Sequence, residues 1–308
     1  IHNGQRKLFL SSSLFLTKYS HMSDLVVYAG ASPGTNIIIL AKLYPNITFH
    51  LYDPRPFDDR LTMKNVKLFQ SYFTNDIAKS YSDKKILLWS DIRTGTVEDD
   101  DFEEQIMENN NMQQKWHDLA KPIRGMYKFR LPYIIDNKTL SDIQHMRGVI
   151  WLQQWAPTTS TETRLIVKTE YKIKNYTRKS QKSYEHRLYY FNTIDRQWAT
   201  YDIYSDIKLM DVPCNCHDCT GEKYILSKYL KTISKDTPDN VQKMSKCVSQ
   251  YVGSIKHLHH GYIDKPILDK YMITIKLFKE KVLKERDNKI KIRKIHYDSN
   301  ATKLIKDI

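Results

Sequence analysis

Residues 24–40 read DLVVYAGASPGTNIIIL, an apolar run that breaks at Gly-Ala-Ser-Pro-Gly-Thr and then resumes. Leu25 to Tyr28 has the short, β-branched character of a buried strand, and Pro33 to Leu43 has the apolar spacing of a helix. A strand ending in a glycine turn that opens a helix is a ligand-binding corner of an open parallel sheet, where ligands sit beyond the carboxyl ends of the strands. Gly30 and Gly34 carry no side chain, so backbone amides can come close to a ligand there. The turn is Gly-x-x-x-Gly and not Gly-x-Gly-x-x-Gly, so the dinucleotide fingerprint is absent. That spacing, with a proline inside it, suits a ligand without a pyrophosphate. Asp53 ends the next apolar stretch, ITFHLYD (47–53), about twenty residues on, where an acid hydrogen-bonds ribose hydroxyls. An amino-acid moiety near the turn and a ribose at Asp53 describe S-adenosylmethionine.

Outward from this corner, VKLFQSYF (66–73), KILLWSD (85–91), GVIWLQQWA (148–156) and TRLIVKTEY (163–171) read as further strands, with Asp91 closing the second of them. Gln5 to Tyr19 and 100–118 read as helices. Strands alternating with helices predict an α/β fold, a doubly wound and mostly parallel sheet over residues 1–213. Composition changes from Cys214, so 214–308 is expected to form a Cys-containing, basic, mainly helical extension with helices at 222–233, 238–260 and 265–287. The last of these places Leu268, Tyr271, Ile275, Phe278 and Val282 on one face.

The 308 residues carry 49 basic and 35 acidic side chains, a formal charge of +14, which favours a polyanionic partner such as nucleic acid. No apolar run reaches the ~18–20 residues needed to span a bilayer. No signal peptide is visible, and the start at Ile1 in place of Met leads us to expect a preceding segment. Four cysteines, three of them crowded together, do not form a secreted disulfide framework, so an intracellular, reducing location is expected.

YAGASPGTNI (28–37), YDPR (52–55), LLWSDIR (87–93) and LQQWAPTTSTETRL (152–165) resemble consecutive blocks of one family, with NGQRKLF (3–9) and YKFRLPY (127–133) as two more in the same order. The family is the poxvirus-type cap-specific mRNA (nucleoside-2'-O-)methyltransferase, which also serves as the stimulatory subunit of the viral poly(A) polymerase. The resemblance covers about residues 3–195 and implies a Rossmann-like S-adenosylmethionine-dependent methyltransferase sheet of seven strands. It also implies capped mRNA as substrate, a poly(A) polymerase catalytic subunit as partner, and the virion and host cytoplasm as location.

The resemblance further implies a Lys-Asp-Lys-Glu tetrad of Lys7, Asp91, Lys128 and Glu162. Methylation of a ribose hydroxyl needs in-line positioning and removal of a proton from a weak acid. Lys128 is the candidate base, with Lys7 and partial burial lowering its pKa, Asp91 orienting it, and Glu162 holding Lys7 or the ribose. The methyl-donor site is expected to comprise Gln5, Gly30, Ser32, Pro33, Gly34, Asn36, Asp53 and Arg55, with Phe73 and Thr74 flanking the adenine. Asn36 stands where the family usually has histidine, and Asp53 with Arg55 also reads as a local ion pair. For the cap and RNA, the expected residues are Tyr133 as a stacking aromatic, Glu185 and Asp136 as edge acids, and Arg164, while the opposing aromatic corresponds to Thr159.

VPCNCHDCTG (212–221) sets Cys214, Cys216 and Cys219 within six residues. Such spacing suits tetrahedral zinc, with Cys247 as a candidate fourth ligand, and it also suits reduced cysteines in a surface loop. HLHH (257–260) reads as surface histidines or a metal site. The rival reading of the whole chain is a non-catalytic RNA-binding processivity factor of a poly(A) polymerase. A nicotinamide oxidoreductase is disfavoured by the missing third glycine.

Overall fold

A computed structural model describes residues 4–96, 99–133, 142–157, 160–192, 196, 201, 203–209, 214–253 and 255. In chain order the strands are β1 (Leu25–Ala29), β2 (Thr48–Tyr52), β3 (Val66–Phe69), β4 (Leu87–Ser90), β5 (Arg124–Phe129), β6 (Ile143–Met146), β7 (Val149–Trp151), β8 (Thr163–Lys168) and β9 (Ile173–Tyr176). The helices are α1 (Gly4–Tyr19), α2 (Thr35–Leu43), α3 (Asn75–Lys79), α4 (Phe102–Ala120), α5 (Arg178–Tyr190), α6 (His217–Thr232) and α7 (Pro238–Val252). Seven strands form one sheet in the order β3-β2-β1-β4-β5-β8-β7, and β6 pairs with β9 in a separate ribbon. From β3 to β5 all neighbours are parallel, while β8 lies antiparallel between β5 and β7. The chain order reverses between β1 and β4, and that crevice is where an open α/β sheet binds ligands.

Strand β1 shows why the sheet is covered on both faces. Val26 and Tyr28 enter one apolar cluster with α1, α2 and α6, whereas Val27 and Ala29 enter the other with Trp116 and Ala120 of α4. That is the period of two imposed by the pleat, with both parities apolar. Trp89 on β4 is 1 % exposed, and Phe15, Tyr28 and Phe49 surround its ring. Truncating it to alanine should cost about 3–5 kcal/mol.

Several elements are shorter than expected because local chemistry ends them. Strand β3 stops at Phe69, and Thr74 caps α3 by accepting from the Ile77 amide. Strand β7 stops at Trp151, before Trp155 takes a φ of 58°. Helix α7 ends at Val252, where Gly253 has a φ of 89°. Helix α5, which the sequence reading left without an element, starts at the Thr177 cap.

The boundary expected at 213/214 does not separate two cores. Cys214, Cys216, Cys219, Tyr224, Ile225, Leu226 and Leu230 belong to the same apolar cluster as Phe9, Leu10 and Ile37. Helix α6 is tied to α1 by a buried ion pair: Arg6 donates to Glu222 through Nε at 2.8 Å. The expected helix 265–287 and the HLHH stretch lie outside the described residues. Among the described residues no helix is long and apolar enough to cross a membrane.

Candidate active site

The glycine turn after β1 is held by the sheet itself. The amides of Gly30 and Ala31 both donate to the Tyr52 carbonyl, at 2.9 and 3.2 Å, and the Ser32 amide donates to Asp53 Oδ2 at 3.1 Å. The amide of Asn36, in the first turn of α2, donates to Gln5 Oε1 at 3.1 Å. These donors are therefore committed within the chain, so the turn is no phosphate cradle. Gly30, at φ 77°, is required because a Cβ would lie 3.0 Å from the backbone of Asp91 and Ile92. Gly34, also at φ 77°, would meet Leu61 at 2.8 Å. Gly30 thus lets β1 and the loop after β4 close together.

Asp53 ends β2 beside this turn. Burial pushes its carboxyl up, but hydrogen bonds from the Arg55 side chain and backbone and from Ser32 outweigh that and hold it below its ordinary value. The Arg55 pair is real, with its exposed guanidinium donating to both Asp53 oxygens at 3.0 and 3.1 Å. Ser32 donates its hydroxyl to the Pro56 carbonyl, and Pro33 is exposed beside it. Asn36 is 1 % exposed with both side-chain amide atoms unpaired, and Phe73 is packed edge-on between Tyr52 and Trp116. Phe73 belongs to the apolar cluster between the sheet and α4.

The four residues of the expected tetrad come together from four elements. Asp91 follows β4, Lys128 lies on β5, Glu162 precedes β8, and Lys7 reaches in from α1. Lys7 Nζ lies 2.7 Å from Glu162 Oε1, while Lys128 Nζ lies 3.4 Å from Glu162 Oε2 and 3.6 Å from Asp91 Oδ1. Two further cations, which sequence spacing did not assign here, complete the cluster. Arg164 Nη1 sits 2.7 Å from Asp91 Oδ1, and Arg93 Nη2 sits 3.9 Å from Glu162 Oε2. Four cations thus face two carboxylates. Burial pushes the Lys7 ammonium below its ordinary pKa, Arg164 and Lys128 add to the fall, and Glu162 and Asp91 oppose it. Burial would raise both acids, but Arg164 and Lys128 at Asp91, and Lys128 and Lys7 at Glu162, hold them ionised below their ordinary values.

The expected cap site is partly rearranged. Tyr133 is half-buried, and its ring faces the Arg130 guanidinium at 4.1 Å while its hydroxyl accepts from Thr161 at 3.1 Å. Arg130 is in turn held by Glu103, whose other oxygen accepts from the Tyr133 amide. Glu185 is half-buried on α5. Arg164, expected to meet cap or RNA, is instead 2 % exposed and donates to Gln153 at 2.8 Å, so its work is to hold Asp91 from inside. Asp136 and Thr159 lie outside the described residues.

A family profile described as "Poly A polymerase regulatory subunit" matches residues 1–252. The chain belongs to that family. Its similarity extends to the cap-specific mRNA (nucleoside-2'-O-)-methyltransferases of Myxoma virus strains Lausanne and Uriarra, each 28% identical over 211 residues. Those alignments cover 63% of this chain and 62% of each relative, so the chain spans under two thirds of their length. The solved structure of bluetongue virus VP4, described as a multifunctional RNA-capping production line, shares 12% identity at a TM-score of 0.43, covering 57% of this chain and 33% of that one.

The stretch that leads to Glu162 is tied to α6. Gln153 donates to Glu162, and two residues on the Trp155 amide donates to Asp218 at 2.9 Å and its indole to Glu222 at 2.8 Å. Asp218 also receives Arg196, and Glu222 receives Arg6, the neighbour of Lys7. The pattern Asp-x-x-x-Glu at 218 and 222 was the available signal, since two acids one turn apart in an apolar helix need buried partners. Of the four expected metal ligands, the sulfurs of Cys214, Cys216 and Cys219 lie within 4.8 Å of one another and are buried. Cys247 is exposed on α7 and stands outside that group, because it sits on the outer face of its helix.

Proposed function

We propose that this chain transfers a methyl group from S-adenosylmethionine to the ribose 2'-hydroxyl of the first transcribed nucleotide of capped mRNA. The carrying observation is the half-buried cluster of Lys7, Asp91, Lys128 and Glu162 beside the glycine turn at the β1/β4 crevice. The donor set fits the methyl donor in one respect that matters chemically: an ionised acid, Asp53, ends β2 next to that turn, where ribose hydroxyls find an acceptor. Asp53 and the Gln5 amide are the residues that would hold it, and bound there it supplies an electrophilic methyl on a sulfonium.

The chain's own residues orient the acceptor and remove its proton. Lys7 is locked to Glu162 at 2.7 Å, whereas Lys128 bridges Asp91 and Glu162 at longer range and is the freer amine. Lys128 is placed to accept the hydroxyl proton at Nζ. Arg164 fixes Asp91 from behind, so the carboxylate holds the lysine's direction through the transfer.

As members of its family name are regulatory subunits, we further propose a poly(A) polymerase catalytic subunit as partner, through a surface separate from this cluster, in the virion and host cytoplasm. The test places capped and uncapped RNA side by side with labelled methyl donor. Transfer to capped RNA alone, reduced on the order of 10²–10⁴ by Lys128→Ala, is expected. Equal activity in the variant refutes the enzymatic reading. Tail extension by the polymerase unchanged on adding either protein refutes the second role.

A further inference from the structure

The cysteine knuckle at the start of α6 surrounds a lysine that makes no ion pair within 4 Å among the described residues. Lys223 is fully buried, and its ammonium donates to the carbonyls of Tyr204 and Cys214 at 3.1 and 3.0 Å and to Asn215 Oδ1 at 3.1 Å. All three acceptors are neutral, and among the described residues no carboxylate lies within 4 Å of it. A buried charge left in this state is costly unless something nearby balances it. The nearest anionic candidates are the sulfurs of Cys214, Cys216 and Cys219, buried and within 4.8 Å of one another.

We propose that Cys214, Cys216 and Cys219 bind one thiophilic divalent cation of the zinc type, with the Lys223 ammonium as its charge-balancing neighbour. Three thiols release their protons to water and offer the resulting thiolate pairs to the cation. Three thiolates and a divalent cation carry one net negative charge, which Lys223 cancels. A monovalent soft cation would leave the buried site at minus one, so the balance selects a divalent ion. Tetrahedral zinc with Zn–S bonds of ~2.3 Å spaces its sulfurs about 3.8 Å apart, within the spread observed here. Cys216 is the N-cap residue of α6 and Cys219 lies in its first turn, so both thiols stand at the same end of the helix. The Tyr201 amide donates to the Asn215 carbonyl at 2.9 Å and fixes the knuckle between the first two ligands.

The site has a structural consequence. Asp218 and Glu222 follow on the same helix and hold Trp155, Arg196 and Arg6, so a cation at the first turn braces the helix that carries these pairs.

The full chain, purified without chelator from zinc-supplemented cells, should contain one zinc per molecule by elemental mass spectrometry. Cys216→Ser and Cys219→Ser should each lower this to below about a fifth. Cys247→Ser should retain it in full. Lys223→Met should keep its fold and lose affinity about 10–100-fold, read by competition with a chromophoric chelator. Since a serine variant can fail to fold, the wild-type chain supplies a second readout. Stepwise mercurial titration should release zinc as three thiols react, and Co²⁺ exchange should give thiolate charge-transfer absorption. A wild-type chain that neither holds zinc nor takes up Co²⁺ overturns the proposal. So does zinc retained in Cys219→Ser, or a disulfide between any two of the three cysteines in the freshly purified chain.

Discussion

Glu222→Gln isolates the tie between α6 and the charge cluster. Both Glu222 and Arg6 have fully buried side chains, and Arg6 donates Nε to Oε2 at 2.8 Å and Nη2 to Oε1 at 2.5 Å. Glu222 also accepts the Trp155 indole and the Ser245 hydroxyl, while the remaining Arg6 donors reach Ser249, the Gly253 carbonyl and Ser245. The amide keeps the shape and an acceptor but removes the charge, leaving a guanidinium inside the protein with neutral partners only. Breaking one side of a buried pair costs about 3–5 kcal/mol, and no solvent reaches this one to relieve it. Urea unfolding followed by tryptophan fluorescence should therefore show that loss. The double variant Arg6→Met/Glu222→Met should recover at least half of it, because a well-packed apolar pair of similar volume replaces two desolvated charges. Methyl transfer should fall in the single variant as Trp155 and Lys7 lose their supports on either side of Glu162. A loss under about 1 kcal/mol, or a double variant no better than the worse single one, refutes the reasoning.

Arg164→Met should cost about 3 kcal/mol and reduce methyl transfer, because Asp91 then keeps only Lys128 at 3.6 Å; Arg164→Lys should not restore activity, since the fork to Asp91 and Gln153 needs a guanidinium. Asp53→Asn should weaken S-adenosylmethionine binding about 10-fold by calorimetry while leaving the melting profile close to wild type. His145 stacks on Phe129 with both ring nitrogens unpaired, and burial lowers its pKa from 6.5 to about 4. Its folded value lies below its unfolded one, so stability is complete above pH 6.5 and falls as pH drops towards 4. The slope is at most about 1.4 kcal/mol per pH unit, and His145→Phe should flatten it in denaturant titrations at pH 5 against pH 7.

Much of the site was legible because its chemistry sits at strand ends. The run from Leu25 to Ala29 declares a buried strand by composition, and Gly30, Asp53 and Asp91 follow as the residues that end strands in an open parallel sheet. Lys7 and Glu162 were not readable from pattern, since a lone lysine and a lone glutamate look like any solvated pair; the resemblance of their blocks to one family carried them. The burial of Asn36 and Phe73 was hidden for a different reason. A residue's face on a helix or after a strand depends on which neighbours pack there, and period alone leaves that open.

The sequence by itself determined the α/β class, the crevice and the chemical type of most of its groups, because hydrophobic period and turn residues act locally. Only the tertiary structure decided what those groups do to one another. Arg164, expected at the cap or RNA, proved the buried partner of Asp91, Cys247 left the thiol group, and α6 joined the core through Glu222 and Asp218. Each of these is a long-range pairing of charges or thiols removed from water, and its energy exists only once distant segments have enclosed it.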